Sequence, residues 1–196
     1  MNKPTVNGAK KTTDNKFLNM YELDAQRRDG TEFSYQVASR AKTTEDLTAI
    51  SGKVKADAVA VIGMHNDKLV LIKQYRYPVD GYIYELPAGL IDDNEGVIAA
   101  AKREMFEETG LEFIATNTSW HFRPWLSSPG MTDEACTIVV GECYGIPTNE
   151  YQEESEDIQV VLVDKKEAIR ILNKEVVDMR TAMAIIMVFD LWKDMS

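Results

Sequence analysis

The sequence predicts a mixed α/β (α+β) protein, a layered domain of helices around a mixed sheet, preceded by a small antiparallel β arm. Three features carry this. Apolar, β-branched runs separated by turn residues recur along the chain; helical patterns fall among them without regular alternation; and a strong turn signal, Asp29-Gly30, splits an N-terminal pair of runs. At 196 residues, 44% hydrophobic and 28% charged, the chain suffices for one large domain with an appendage.

In chain order, the first fifteen or so residues are polar and expected to fray. "FLNMYELDAQRR" and "TEFSYQVASR" read as a hairpin around Asp29-Gly30, and "KTTEDLTAISGK" as a polar bridge. "ADAVAVIGM" and "KLVLIKQYRY", joined by "HND", suggest a second hairpin, and "GYIYELPAG" a short strand ended by Pro87. Residues 95–109 carry a helical pattern, with Asp93 or Asn94 as the expected N-terminal cap and Gly110 as the terminator. "ACTIVVGECYG" is an apolar strand, and "IQVVLVDKKEAIRIL" a strand running into a helix. In residues 178–193, Met183, Ile186, Met187, Phe189 and Trp192 form a helical stripe expected to face the core. The expected division is an arm, residues 1–52, and a main domain, residues 53–196.

A formal charge of −10 argues against nucleic-acid or acidic-membrane partners, which require a basic face. An acidic protein can still take a phosphorylated small molecule if cations intervene, and carboxylates hold such cations. Cys136 and Cys143 lie in one apolar strand and are expected as buried free thiols. No signal peptide or membrane-length apolar run is visible, so a reduced, cytoplasmic setting is the expectation.

"AAAKREMFEET" raises the chemical question. At about 100° per residue, Glu104 and Glu108 stack, as do Arg103 and Glu107. Beside them Ile98, Ala101 and Met105 form a stripe that can seal the helix to a sheet. A solvated acidic face is one reading. However, solvated helices normally place lysine opposite glutamate at this spacing, and acids in the last turn oppose the helix dipole. Mg²⁺ or Mn²⁺ held by paired carboxylates is the other reading.

Gly89, Glu95, Arg103, Glu104, Met105, Glu107, Glu108, Gly110 and Leu111 match every fixed position of the pattern G-x5-E-x7-R-E-U-x-E-E-x-G-U. This resembles the Nudix box. The resemblance implies an α/β/α sandwich that hydrolyses nucleoside diphosphates linked to another moiety, using Mg²⁺ or Mn²⁺. By the same resemblance, Glu104 and Glu108 are the main metal ligands, Glu107 completes the site, and the Ala88 carbonyl contributes. Arg103 orients a box glutamate, and Glu95 supports the centre.

The flanks are similar to ADP-ribose and ADP-sugar pyrophosphatases: "QYRYPVDGYIYELPAG", "SSPGMTDE" and "EESEDIQVVLVDKKEA". The implied reaction turns ADP-ribose and water into AMP and ribose 5-phosphate. Other nucleotide sugars, dinucleoside polyphosphates or oxidised nucleotides are alternative substrates. A non-catalytic nucleotide-binding module is a further alternative, disfavoured because the box glutamates are intact. Arg76 is either a surface residue or a diphosphate contact, and Glu134 a candidate for ribose hydroxyls. Phe33 and Tyr35 either stack on adenine or pack. Glu154 and Glu156, ahead of Glu153, are candidate general bases in a loop that could also be simply solvated. The segment "WHFRPW" lengthens the loop before Pro129, and packing is the preferred role for Trp120, His121 and Trp125. The arm, by the same resemblance, implies a domain-swapped homodimer.

Overall fold

Residues 5–11, expected to fray, are ordered as a strand. Thr5–Lys11 form β1, paired antiparallel along β2 (Asn19–Gln26), which pairs with β3 (Glu32–Ser39). The expectation fails because β1 buries few side chains; its place is set by backbone pairing, which leaves no periodic trace in sequence. The expected hairpin is present, but its turn is longer than two residues. Residues 27–31 form the loop, closed by Arg27 N–H to Thr31 O (2.9 Å), with Gly30 at φ +88°.

Tyr21, Leu23, Val37 and Leu47 form the core of this sheet, and the Tyr21 hydroxyl donates to Ala41 O. Leu47 comes from the stretch expected to be a polar bridge. That stretch is instead a 3₁₀ turn, Thr44–Asp46, and one helical turn, α1 (Thr48–Ser51), ended by left-handed Gly52.

A larger sheet follows. β4 (Ala58–His65) and β5 (Lys68–Arg76) form a hairpin whose Asn66 and Asp67 both take positive φ. β6 (Gly81–Glu85) pairs antiparallel with β5, and β7 (Ala88–Leu90) with β4. α2 (Val97–Thr109) packs on β4, β7 and β8 (Glu112–Ala115). β9 (Trp125–Leu126) pairs with the first two residues of β10 (Ala135–Tyr144), and β11 (Ile158–Val163) with β5. The sheet order is β11-β5-β4-β10-β8. α3 (Lys165–Lys174), capped by Asp164, and α4 (Met179–Val188), capped by Asp178, follow.

Strand alternation sorts the helices onto opposite faces. Val70, Val160 and Leu162 join Ala100, Ala101 and Met105 of α2 in one core cluster. Tyr84 points the other way and receives a hydrogen bond from Arg170 of α3. This is the expected α/β/α layering.

The computed structural model describes residues 3–117, 119–152 and 156–195. By compactness, residues 1–57 with 123–136 form one unit, and 58–122 with 137–196 another. Among the described residues no helix is long and apolar enough to cross a membrane. Cys136 and Cys143 are buried and not joined in a disulfide.

Two local expectations are corrected. α2 starts at Val97 with Gly96 as N-cap and no side-chain cap; Asp93 and Asn94 do not serve. On α4 the buried face is Thr181, Ala184 and Ile185, whereas Met183 and Met187 are 54% and 66% exposed and Trp192 is exposed. The Leu86 N–H donates to the buried Thr181 hydroxyl at 2.8 Å, so a polar anchor and a small residue select the face. In the lengthened loop, His121 is buried and accepts from Val140 N–H (3.2 Å), while Trp125 is exposed; the Trp120 side chain lies outside the described residues.

Candidate active site

α2 presents Glu104 and Glu108 on its sheet-facing side, next to the β6–β7 turn. Relative exposure is 8% for Glu104 and 2% for Glu108. Glu108 accepts a hydrogen bond from Ala88 N–H at 3.0 Å. A Cβ added at Gly89 would meet Glu104 Oε1 at 2.0 Å, so glycine is what admits that carboxylate against the β7 backbone.

Arg103 is the hub. Its Nε and Nη2 grip both oxygens of Glu95 (3.0 and 2.9 Å), and Nη1 donates to Glu104 (2.7 Å) and Glu107 (3.0 Å). Nη2 also donates to Leu90 O at 2.9 Å. The bidentate contact therefore falls on Glu95, and the box glutamates 104 and 107 receive single bonds. Glu95 lies ahead of the helix, accepts from Asp92 N–H as well, and its carboxyl is held below the ordinary range chiefly by Arg103.

The two stacked carboxylates behave oppositely to Glu95. Burial pushes Glu104 upward, partly offset by Arg103. Burial and then the Glu104 charge push Glu108 well above the usual range, against the lowering effects of Ala88 N–H and Arg76. Among the described residues no three Asp, Glu, His or Cys side chains form a ready-made cation cage. Arg103 occupies Glu107 and one oxygen of Glu104, so further donors must come from backbone, water or substrate. The donor chemistry still suits a hard divalent cation: two buried, mutually repelling carboxylates carry an electrostatic cost that a cation reverses.

Arg76 has an ion-pair partner of its own. Its Nε donates to the buried Glu85 at 2.7 Å, across the β5–β6 pair, and its charge is felt at Glu108. Glu85 carries no motif signal; only the strand register brings it to Arg76. Glu156, half-buried, lies within electrostatic reach of both Glu104 and Glu108. Glu153 and Glu154 lie outside the described residues. Gln152, unforeseen, donates to Glu108 O at 2.9 Å, and Tyr151 stacks on Phe106 with centroids 4.4 Å apart.

The remaining candidates belong to the N-terminal unit. Glu134 accepts from Arg40 Nε at 3.1 Å, and both line a cavity of about 440 Å³ with Leu18, Met20, Gln36 and Met131. Tyr35 donates to Gly130 O at 2.8 Å, and the Arg27 guanidinium lies over the Phe33 ring at 4.5 Å. Both aromatic side chains thus already have protein partners.

The fold and this constellation define a class, and the match to the NUDIX domain over residues 54–183 agrees: the chain belongs to the Nudix family. Among curated relatives it is 46% identical over 77 residues to an ADP-sugar pyrophosphatase of Mus musculus, a match covering 37% of this chain and 35% of that protein. It is 31% identical over 131 residues to the ADP-ribose pyrophosphatase of Bacillus subtilis (strain 168), covering 65% of this chain and 69% of that one. The match thus spans only about a third of the mouse relative's length. Among solved structures, one titled as an ADP compounds hydrolase superposes with TM-score 0.72 over 99% of this chain and 96% of that chain, at 22% identity.

Proposed function

We propose that the protein hydrolyses the diphosphate bond of ADP-ribose, yielding AMP and ribose 5-phosphate, with Mg²⁺ or Mn²⁺. The observation that carries this reading is the buried pair Glu104 and Glu108, stacked one helical turn apart, both pushed toward protonation by desolvation and Glu108 also by the Glu104 charge. The names of the relatives supply the substrate class.

In this reading Glu104, Glu108 and the Ala88 carbonyl would hold the cation, with Glu107 completing the set directly or through water. A cation bound there would neutralise diphosphate charge and acidify a water. The chain's own residues do the rest. Glu156, with Glu154 as the alternative, accepts the proton of the water that attacks phosphorus as the bond to the bridging oxygen breaks. Arg103 keeps the glutamates in place. Arg76, steadied by Glu85, meets the charge growing on the phosphoryl oxygens. For the rest of the substrate, Glu134 is the candidate for ribose hydroxyls, and Phe33 and Tyr35, whose contacts with Arg27 and Gly130 O would have to yield, are the candidates for adenine stacking.

The enzyme acts as a cytoplasmic homodimer joined by exchange of the arm, residues 1–52, onto the 53–196 domain. Exposed Phe17, Leu18 and Met131 on the N-terminal unit support this. Light scattering is expected to report twice the chain mass of 22.1 kDa; a monomer overturns the dimer.

Product analysis tests the activity. With ADP-ribose and Mg²⁺, AMP and ribose 5-phosphate are expected, with slower turnover of other nucleotide sugars, dinucleoside polyphosphates and oxidised nucleotides. Faster cleavage of one of those reassigns the substrate. Glu156→Gln is expected to lower kcat about 100-fold, within the range for loss of a general base.

A further inference from the structure

Glu156 stands directly before Asp157, and Asp157 is pinned twice. Tyr75 N–H donates to Asp157 O at 3.1 Å, continuing the β5–β11 ladder one residue beyond the Gln74–Ile158 pair. The Tyr82 hydroxyl donates to Asp157 Oδ2. Tyr82 pairs directly with Tyr75 across β5 and β6, and the two rings meet edge-to-face at 5.5 Å. Asp157 thus opposes Tyr75 on one strand while Tyr82 opposes it on the other. All three lie on the sheet face that carries α3, opposite α2.

Strand alternation then decides where Glu156 goes. Residues 72, 74 and 76 of β5 face α2, and Asp157 sits opposite residue 75. Its predecessor therefore turns to the α2 face, toward Arg76. The electrostatics agree, because the Glu156 charge is felt at Glu104 and Glu108. A slip of one residue would send Glu156 to the far face and Asp157 to the site. The ladder bond alone is a weak guard at the very start of a strand. The side-chain bond is the second guard.

We infer that Tyr82 is a positioning residue: by holding Asp157 on the far face of the sheet, it holds Glu156 on the face of the paired glutamates. This rests on Glu156 being the base proposed above. Tyr82 itself never meets substrate. The residue is 38% exposed, and removing the hydroxyl leaves the ring packing in place.

The test is steady-state hydrolysis of ADP-ribose with Mg²⁺ by the full chain. Tyr82→Phe is expected to lower kcat about tenfold, the kinetic equivalent of one hydrogen bond to a charged acceptor, with KM unchanged and the melting temperature close to wild type. Asp157→Ala is expected to match it, and the double variant to be no worse than either, because both remove the same bond. Asp157→Asn keeps an acceptor for the hydroxyl and is expected to restore most of the turnover. If Glu156→Gln is impaired while Tyr82→Phe keeps wild-type kcat, the positioning role falls and the base stands. If Glu156→Gln keeps wild-type kcat, the base falls, and the inference with it. Additive losses in the double variant also overturn the inference.

Discussion

Glu108→Gln is expected to lower turnover by about three orders of magnitude, roughly 4 kcal/mol of transition-state stabilisation, while the fold survives. The side chain is almost fully buried and Glu104 is the strongest acidic influence on it, so its charge opposes folding unless a cation answers it. Glutamine keeps the shape and the acceptor that Ala88 N–H requires, but not the charge. A second readout separates binding from chemistry. Wild type is expected to melt several degrees higher with Mg²⁺ at a hundredfold excess over its Kd, following the roughly 2.7 kcal/mol that mass action supplies. Glu108→Gln is expected to lose most of that shift. Wild-type turnover in the variant, or an undiminished Mg²⁺ shift, would remove the carboxylate pair from the centre of the reading.

Arg103→Lys is the second large effect. Lysine keeps the charge but has three donors on one nitrogen. It cannot hold both oxygens of Glu95 while also reaching Glu104, Glu107 and Leu90 O, as the guanidinium does. A drop in kcat of about 100-fold is expected, with KM little changed, because the loss is in geometry around the reacting centre. Arg103→Ala is expected to melt lower as well, by roughly 2–4 °C for each kcal/mol lost, since it strips the buried Glu104 of its compensating cation. A lysine variant within twofold of wild type would mean that charge alone suffices and that the fork is incidental.

How far these residues are legible in the sequence follows from the range of the interactions involved. Glu104 over Glu108, and Arg103 over Glu107, are spaced by one helical turn, so the helix itself sets their relation. The turn between β4 and β5 and the terminating Gly110 are equally local, and each is visible in its residues. β1 is not, because a strand that buries little is defined by its neighbour. Leu47 escapes notice because one apolar residue in a polar run has no period. The α4 stripe shows the limit of periodicity. The pattern identifies a helix, but of its stripe only Ile186 and Phe189 are half-buried, while the fully buried side carries Thr181, which accepts from Leu86 N–H.

By itself the chain determined most of the strand-and-helix order and the stacked carboxylates of the glutamate helix, because these rest on contacts within a few residues. Only the folded sheet decided that Arg76 meets Glu85 and which face receives Glu156. Those outcomes depend on register between strands, a shift of one residue reverses them, and register is set by the packing of the whole sheet rather than by any short stretch of it.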